Sequence, residues 1–324
     1  MKVLVTGANG FIGQAVLSRL NQLSDVTAVG SVRHSAMVSD ANLPFVMTGD
    51  LSAQTDWSEN LVGVQVVIHT AARVHIIREA ALNPLEEFRR VNVQGTLNLA
   101  RQAARVGVRR FVFLSSIGVN GAETFDKPFT DQDLVAPHSP YAVSKHETEL
   151  ELQALAKETG MEVVIIRPPL VYGLDAPGNF GSLIRWLRRG VPLPLGAVHN
   201  QRSLVSLDNL VDLIKTCVMH PAAANHIFLV SDGEDVSTTD LLRRLGKALG
   251  KRPRLLAIPM SLLKIVATLM GKSHMAKSLF GSLQVDIKKN RRLLSWTPPQ
   301  SLDEGLLRAL GNGESTHSVF DEQE

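Results

Sequence analysis

Cysteine is almost absent from this 324-residue chain, with Cys217 its only example. A lone thiol excludes an internal disulfide and suits a reducing, cytoplasmic compartment. Long apolar runs are missing too. The longest late stretch, Ile258 to Met270, is interrupted by Lys264 and falls short of the roughly 20 residues that a bilayer crossing needs. It reads as a packed helix with at most a peripheral membrane contact, not stable insertion. The apolar N-terminus is too short for a signal peptide and has no cleavage site before a glycine turn begins. Nor does one sign of charge dominate, since the net charge is only +3. The clusters Arg109–Arg110, Arg188–Arg189 and Lys288 to Arg292 lack interleaved aromatics, which argues for solvated faces and against a nucleic-acid partner. His69 has no second ligand at metal spacing, so it reads as a packed histidine and no metal is expected.

What is present begins at the first residues. Lys2 to Thr6 reads as a buried strand, and FIGQAVLSRLNQL from Phe11 repeats apolar residues at helical spacing. Gly7, Gly10 and Gly13 fall on the turn between them. Gly7 permits a turn that a side chain would obstruct, and Gly10 lets backbone amides approach a pyrophosphate. Gly13 lets the helix pack closely with its positive end toward the phosphates. A purely structural glycine turn is the competing reading. The flanking strand and helix favour dinucleotide binding.

Strand and helix then alternate, which predicts an α/β, doubly wound parallel sheet of Rossmann type. The strand candidates are KVLVTG, DVTAVG, LPFVMTG, VQVVIHTAA, RRFVFLSS, MEVVIIRPP and NHIFLVSD. After Arg167 the texture becomes rich in proline and glycine, flanking a helix near Gly181 to Arg189. We therefore expect a dinucleotide-binding domain over 1–167, with 204–232 returning to its sheet. A smaller C-terminal substrate lobe is expected from 168–203 and 233–310, followed by a flexible tail over 311–324.

A proton-transfer group is also legible. Tyr141 and Lys145 are four residues apart in SPYAVSKHETELE, hence on one helical face. An ordinary tyrosine, with a pKa of about 10, exchanges protons poorly at neutral pH, and a nearby ammonium lowers that value. Ser116, at the end of RRFVFLSS, adds a hydroxyl for a reacting carbonyl or alcohol. Together they describe proton transfer coupled to hydride transfer at a C–OH/C=O centre. Tyr-x-x-x-Lys alone is a common accident on amphipathic helices. The ordered serine and the N-terminal turn make accident a poor account.

The Gly-x-x-Gly-x-x-Gly spacing with Ser116, Tyr141 and Lys145 resembles the extended short-chain dehydrogenases/reductases, whose signature is TGxxGxxG followed by Tyr-x-x-x-Lys. The resemblance implies NAD or NADP, bound by Gly7, Asn9, Gly10, Phe11, Ile12 and Gly13, with Lys145 and Tyr141 also against the cofactor. It places Asp50 and Leu51 at adenine, Ala71 and Ala72 beneath the cofactor, and Asn92 in the NVxGT helix motif. NAD binders carry an acidic residue after the second strand. Here AVGSVRH has none, and Ser31 and Arg33 could receive a 2′-phosphate, a lean toward NADP tolerance.

RPPLVYG, PGNF, the PLPLG loop, RSLVSLDNL and GSLQVDIKKNRRLLSWTPPQSLDEGL resemble the nucleotide-sugar epimerase and reductase branch, extending the likeness to about Leu310. It implies a UDP-sugar substrate and a homodimer. Arg202 falls where the branch binds diphosphate, a role suited to a planar donor fork, and Asn179 and Phe180 where it holds the nucleotide. Two departures stand out. Leu170 replaces the asparagine of the RxxNxYG segment of UDP-glucose 4-epimerases, and their SSATVYG strand end reads SSIGVNG. The nearest likeness is to bacterial O-antigen proteins that reduce a UDP-4-keto-6-deoxy-N-acetylhexosamine to UDP-N-acetylquinovosamine, with a UDP-hexose 4-epimerase second. A non-catalytic NAD(P)-sensing protein is the alternative of another class. The intact Ser116, Tyr141 and Lys145 set opposes it.

Overall fold

A computed structural model of the chain describes residues 1–34, 43–74, 83–263 and 279–311, apart from the Asn179 side chain. The expected tail from residue 312 and the second half of the Ile258–Met270 segment lie outside the described residues. In chain order the first elements are β1 (Lys2–Thr6), α1 (Phe11–Leu20), β2 (Thr27–Val32), β3 (Phe45–Met47), β4 (Val66–His69) and α2 (Pro84–Phe88). A π-helical segment, Arg89–Gly95, leads into α3 (Thr96–Arg105), β5 (Arg110–Leu114) and a short 3₁₀ turn at Ile117–Val119. Then come α4 (Pro140–Thr159), β6 (Glu162–Arg167), β7 (Leu170–Tyr172), α5 (Asn179–Arg188), β8 (Arg202–Ser206) and α6 (Leu207–Met219). The last are β9 (Ile227–Leu229), β10 (Asp235–Val236), α7 (Thr238–Ala248), α8 (Lys288–Leu294) and α9 (Leu302–Ala309).

The seven strands read from the sequence form one sheet in the order β3-β2-β1-β4-β5-β6-β9, and every neighbouring pair is parallel. Period-two geometry divides their side chains between two cores. Val3, Val5, Val66, Ile68, Val112 and Val164 meet α1 and α6 on one face. Leu4, Val67, Phe111, Phe113, Val163 and Ile165 meet α3 and α4 on the other. Covering both faces explains why these strands are continuous apolar runs. Helix α4 is delimited by its sequence: Ser139 Oγ accepts from the Ala142 amide, Pro140 follows, and Gly160 ends it at φ +75°.

The segment 204–232 does not return whole to the main sheet. β8 lies at the centre of a separate three-stranded sheet, parallel to β7 and antiparallel to β10. Only α6 and β9 rejoin the large sheet. Pro168 and Pro169 follow β6 directly and carry no amide donors, so the chain leaves that ladder and β7 starts a new one. A third core of Tyr172, Phe180, Leu183, Leu187, Leu204, Leu242 and Leu306 joins this sheet to α5, α7 and α9.

Candidate active site

Parallel strands bring the ends of β1, β4 and β5 to one edge of the sheet, where an open α/β fold leaves a crevice. Ser116 lies two residues past β5. Its Oγ accepts from the Gly118 amide at 3.1 Å. A Cβ at Gly118 would stand 3.3 Å from Ser116 Oγ and 3.4 Å from Ala142 Cβ, so this turn packs directly on the first turn of α4. There Tyr141 is half-buried, its ring edge-on to Phe88 at 6.0 Å. Lys145, one helical turn on, is 2% exposed. Its Nζ donates to the Leu114 carbonyl at 2.8 Å and sits 4.4 Å from the Phe113 ring centroid and 5.8 Å from that of Tyr141. Burial pushes the Tyr141 hydroxyl up to about 12 and the Lys145 ammonium down to about 7, the latter opposed by Glu149. Low dielectric thus favours the neutral forms, against the ion-pair effect read from spacing alone.

A further turn along the same face stands Glu149, a residue not anticipated from the sequence. It is 1% exposed and accepts from Ser115 Oγ and from Arg167 Nε at 3.0 Å and Nη2 at 2.5 Å. Arg167 Nη1 also donates to Asn120 Oδ1 at 2.9 Å. This buried network ties α4 to the ends of β5 and β6 and to the turn carrying Ser116. The i, i+4, i+8 series Tyr141, Lys145, Glu149 was the available signal.

On the other side of the crevice the glycine turn is closely fitted. Gly7 has φ +67°, and a Cβ there would lie 2.8 Å from the Ala71 backbone. A Cβ at Gly13 would lie 2.2 Å from the Gly7 carbonyl oxygen. Gly10 precedes α1, and no side chain caps that N-terminus, which leaves amide donors and the positive helix end for an anion. These features fit a dinucleotide pyrophosphate. Phe11 and Ile12 are half-buried while Asn9 is exposed. Asn92, within the π-helical segment, accepts from the Arg73 amide at 2.8 Å and donates to the Arg73 carbonyl and to Ser144 Oγ. It thereby joins the loop containing Ala71 and Ala72 to α4. Leu51 packs on Gly95, where a Cβ would lie 2.8 Å from its Cγ.

Arg33 and Asp50 meet at the sheet edge, Nη1 to Oδ1 3.6 Å, both largely exposed. A carboxylate following β3 therefore reaches the end of β2, where the sequence itself has none. Ser31 is buried, its Oγ accepting from Thr48 at 3.4 Å. His69 is fully buried, with Nδ1 2.7 Å from Thr6 Oγ1 and Nε2 2.8 Å from Thr96 Oγ1. Burial and then Lys145 lower its pKa to about 3, so it is a neutral structural ring.

In the smaller sheet Arg202 opens β8, with Nη1 donating to the Gly281 carbonyl at 3.0 Å; burial lowers its pKa. It lines a cavity with Leu170, Phe180, Val236, Ser237 and Thr238. Phe180 is also a core residue, its ring 5.3 Å from that of Tyr172. The Asn179 side chain lies outside the described residues.

Residues 3–231 match the NAD dependent epimerase/dehydratase family. A Vibrio cholerae protein named UDP-glucose 4-epimerase is 48% identical over 305 residues, 94% of this chain and 92% of its own. An Escherichia coli O157:H7 N-acetyl-alpha-D-glucosaminyl-diphospho-ditrans,octacis-undecaprenol 4-epimerase is 26% identical over 95% of this chain and 94% of its own. Among solved structures, UDP-glucuronic acid 4-epimerase from Bacillus cereus in complex with NAD superposes with a TM-score of 0.78 at 22% identity. It covers 96% of this chain and 98% of its own, and at that identity the likeness concerns the fold. The family match over most of the chain and the long Vibrio alignment agree: the chain belongs to the NAD-dependent epimerase/dehydratase family.

Proposed function

We propose that the protein is an NAD-dependent oxidoreductase acting at C4 of a UDP-sugar. The observation that carries this reading is the convergence of Ser116, Tyr141 and Lys145 on the sheet edge that also bears the glycine turn. NAD, when bound, supplies the hydride acceptor or donor. In the reducing direction Tyr141 gives its hydroxyl proton to the sugar oxygen as the carbonyl becomes an alcohol, and in the oxidising direction it takes that proton back. Lys145 stabilises the phenolate, and Ser116 Oγ orients the reacting oxygen. The Arg33–Asp50 ion pair leaves little net positive charge for a 2′-phosphate, which supports NAD over NADP.

UDP-sugar is the substrate class supported by the names of the similar proteins and by Arg202 in the cavity beside Leu170. The smaller sheet and its helices serve as the substrate lobe. Within this chemistry, net reduction of a UDP-4-keto-6-deoxy-N-acetylhexosamine is the first reading. Leu170, half-buried in the cavity wall, supplies no polar group where the epimerase branch has an asparagine. The second reading, UDP-hexose 4-epimerisation, is favoured by the 48% identical relative.

Product analysis separates them. Net reduction predicts stoichiometric NADH oxidation with the 4-keto sugar and poor interconversion of UDP-GlcNAc and UDP-GalNAc. Rapid interconversion of UDP-hexoses without added cofactor would establish epimerisation. Inactivity on every UDP-sugar would overturn the substrate class.

A further inference from the structure

Charge in this chain is segregated although its net value is small. Residues 168–203 and 233–310 hold eighteen basic and seven acidic side chains, against sixteen and twenty-four elsewhere. Within that portion, Pro177 to Leu207 has four basic residues and no acidic one, and Leu241 to Leu263 has six and none; of these, Arg202 belongs to the cavity described above and Arg244 is paired with Glu234, Asp240 and Asp303, which leaves eight. Such asymmetry marks a surface for an anionic partner.

The two segments form one surface. The Trp186 carbonyl accepts from the Val191 amide at 3.2 Å, and Lys251 Nζ donates to the Arg188 carbonyl at 2.6 Å. Leu193 pairs with Leu255 as an isolated bridge, flanked by 2.8 Å bonds from the Leu193 amide to the Arg254 carbonyl and from the Leu256 amide back to Leu193. Alternation at that bridge decides which side chains face out. Leu193 is buried and Leu255 half-buried, so Arg254 and Leu256 point outward. On α5, Leu183, Ile184 and Leu187 face the core, leaving Arg185, Trp186 and Arg188 outside. Trp186 is 39% exposed and Leu256 51% exposed, with Val191 and Leu262 comparable. Among the described residues, none of Arg188, Arg189, Lys251, Arg252 or Arg254 pairs with a carboxylate.

We propose that this face of the smaller lobe docks peripherally on an anionic lipid bilayer. Cations without carboxylate partners share these two joined segments with an exposed tryptophan and exposed aliphatic side chains, the combination that anchors a protein at a headgroup layer. Lipid is favoured over nucleic acid because, of the exposed apolar members, Trp186 alone offers a ring on which a base could stack, whereas Val191, Leu256 and Leu262 are aliphatic and can enter an acyl boundary. The docking is independent of the chemistry proposed at the crevice, and either can fail alone.

The test is flotation of the full chain with phosphatidylcholine vesicles with and without phosphatidylglycerol, read together with tryptophan emission. Trp57 and Trp296 are 2% and 5% exposed, so a lipid-induced shift reports Trp186. We expect binding only to the anionic vesicles, a blue-shifted emission, and release by high salt. Arg188→Gln with Arg189→Gln should weaken partitioning about thirtyfold, the loss of two surface cations, and Trp186→Ala should weaken it further. All three positions are exposed and outside the proposed catalytic set, so turnover should persist. Absence of binding at low salt, binding unchanged in these variants, or equal binding to duplex DNA with no emission shift would each overturn the proposal.

Discussion

Tyr141 and Lys145 face a conflict between desolvation, which favours both neutral forms, and their proposed task, which uses charged ones. The proposed role predicts that Tyr141→Phe keeps its fold and NAD affinity while turnover falls ~10²–10⁴-fold. Near wild-type rates on the true substrate would refute the role. Lys145 allows a test without substrate. Its folded value of about 7 lies below the ordinary 10.5, so between them the unfolded chain holds a proton that the folded chain has released. Stability from this group therefore rises with pH across that window. The melting temperature of cofactor-free wild type, minus that of Lys145→Met, should grow from about pH 7 to about pH 10. A constant difference would contradict it. Glu149→Gln should destabilise by about 3–5 kcal/mol, because Arg167 is left buried without its counter-charge. Urea denaturation measures this, and a loss under about 1 kcal/mol would show the pair to be dispensable.

The glycine turn and α1 act as one element. Gly7 takes a positive φ so that the chain can reverse against Ala71, and Gly13 lets α1 descend onto the Gly7 carbonyl. Gly13→Ala forces a 2.2 Å contact with that oxygen, so the turn must open. The expected result is an overpacking loss of about 1–3 kcal/mol with weakened NAD binding, measured by calorimetric titration. Unchanged NAD affinity would remove the turn from the proposed cofactor site. The π-helical segment at Arg89–Gly95 is the other element of consequence. It carries Asn92 against both the loop after β4 and α4, and such segments recur where a helix must serve a site.

At the scale of the molecule, the two sheets are held together by Asp232, just after β9. Its Oδ2 accepts from the Tyr172 hydroxyl at 2.6 Å, and its Oδ1 from the Ser206 amide and Asn209 Nδ2. Tyr172 also touches α9, its hydroxyl oxygen lying 3.3 Å from the Leu302 carbonyl oxygen. Because α6 packs on the large sheet while β8 leads directly into it, unfolding of either sheet exposes the other. Tyr172→Phe should cost about 1.5–3 kcal/mol, the range for a bond to a charged group. Calorimetry should show one transition at lower temperature, whereas two resolved transitions would disprove the coupling.

The amino-acid sequence by itself determined the seven strands of the large sheet, the glycine turn, and the order Ser116, Tyr141, Lys145. Each depends on local periodicity or on spacing within one element. Tertiary structure alone decided that β8 joins a second sheet, because strand pairing is a choice among distant partners and Pro168 and Pro169 only close one of them. It also decided that Asp50 would supply a carboxylate beside Arg33, and that Glu149 would meet Arg167 from another element. Spacing along α4 marks Glu149, but its pairing with Arg167, like that of Asp50 with Arg33, joins different elements and has no local period. Packing of the completed sheet brings them together, Arg33 and Asp50 at its exposed edge and Glu149 and Arg167 in its buried interior.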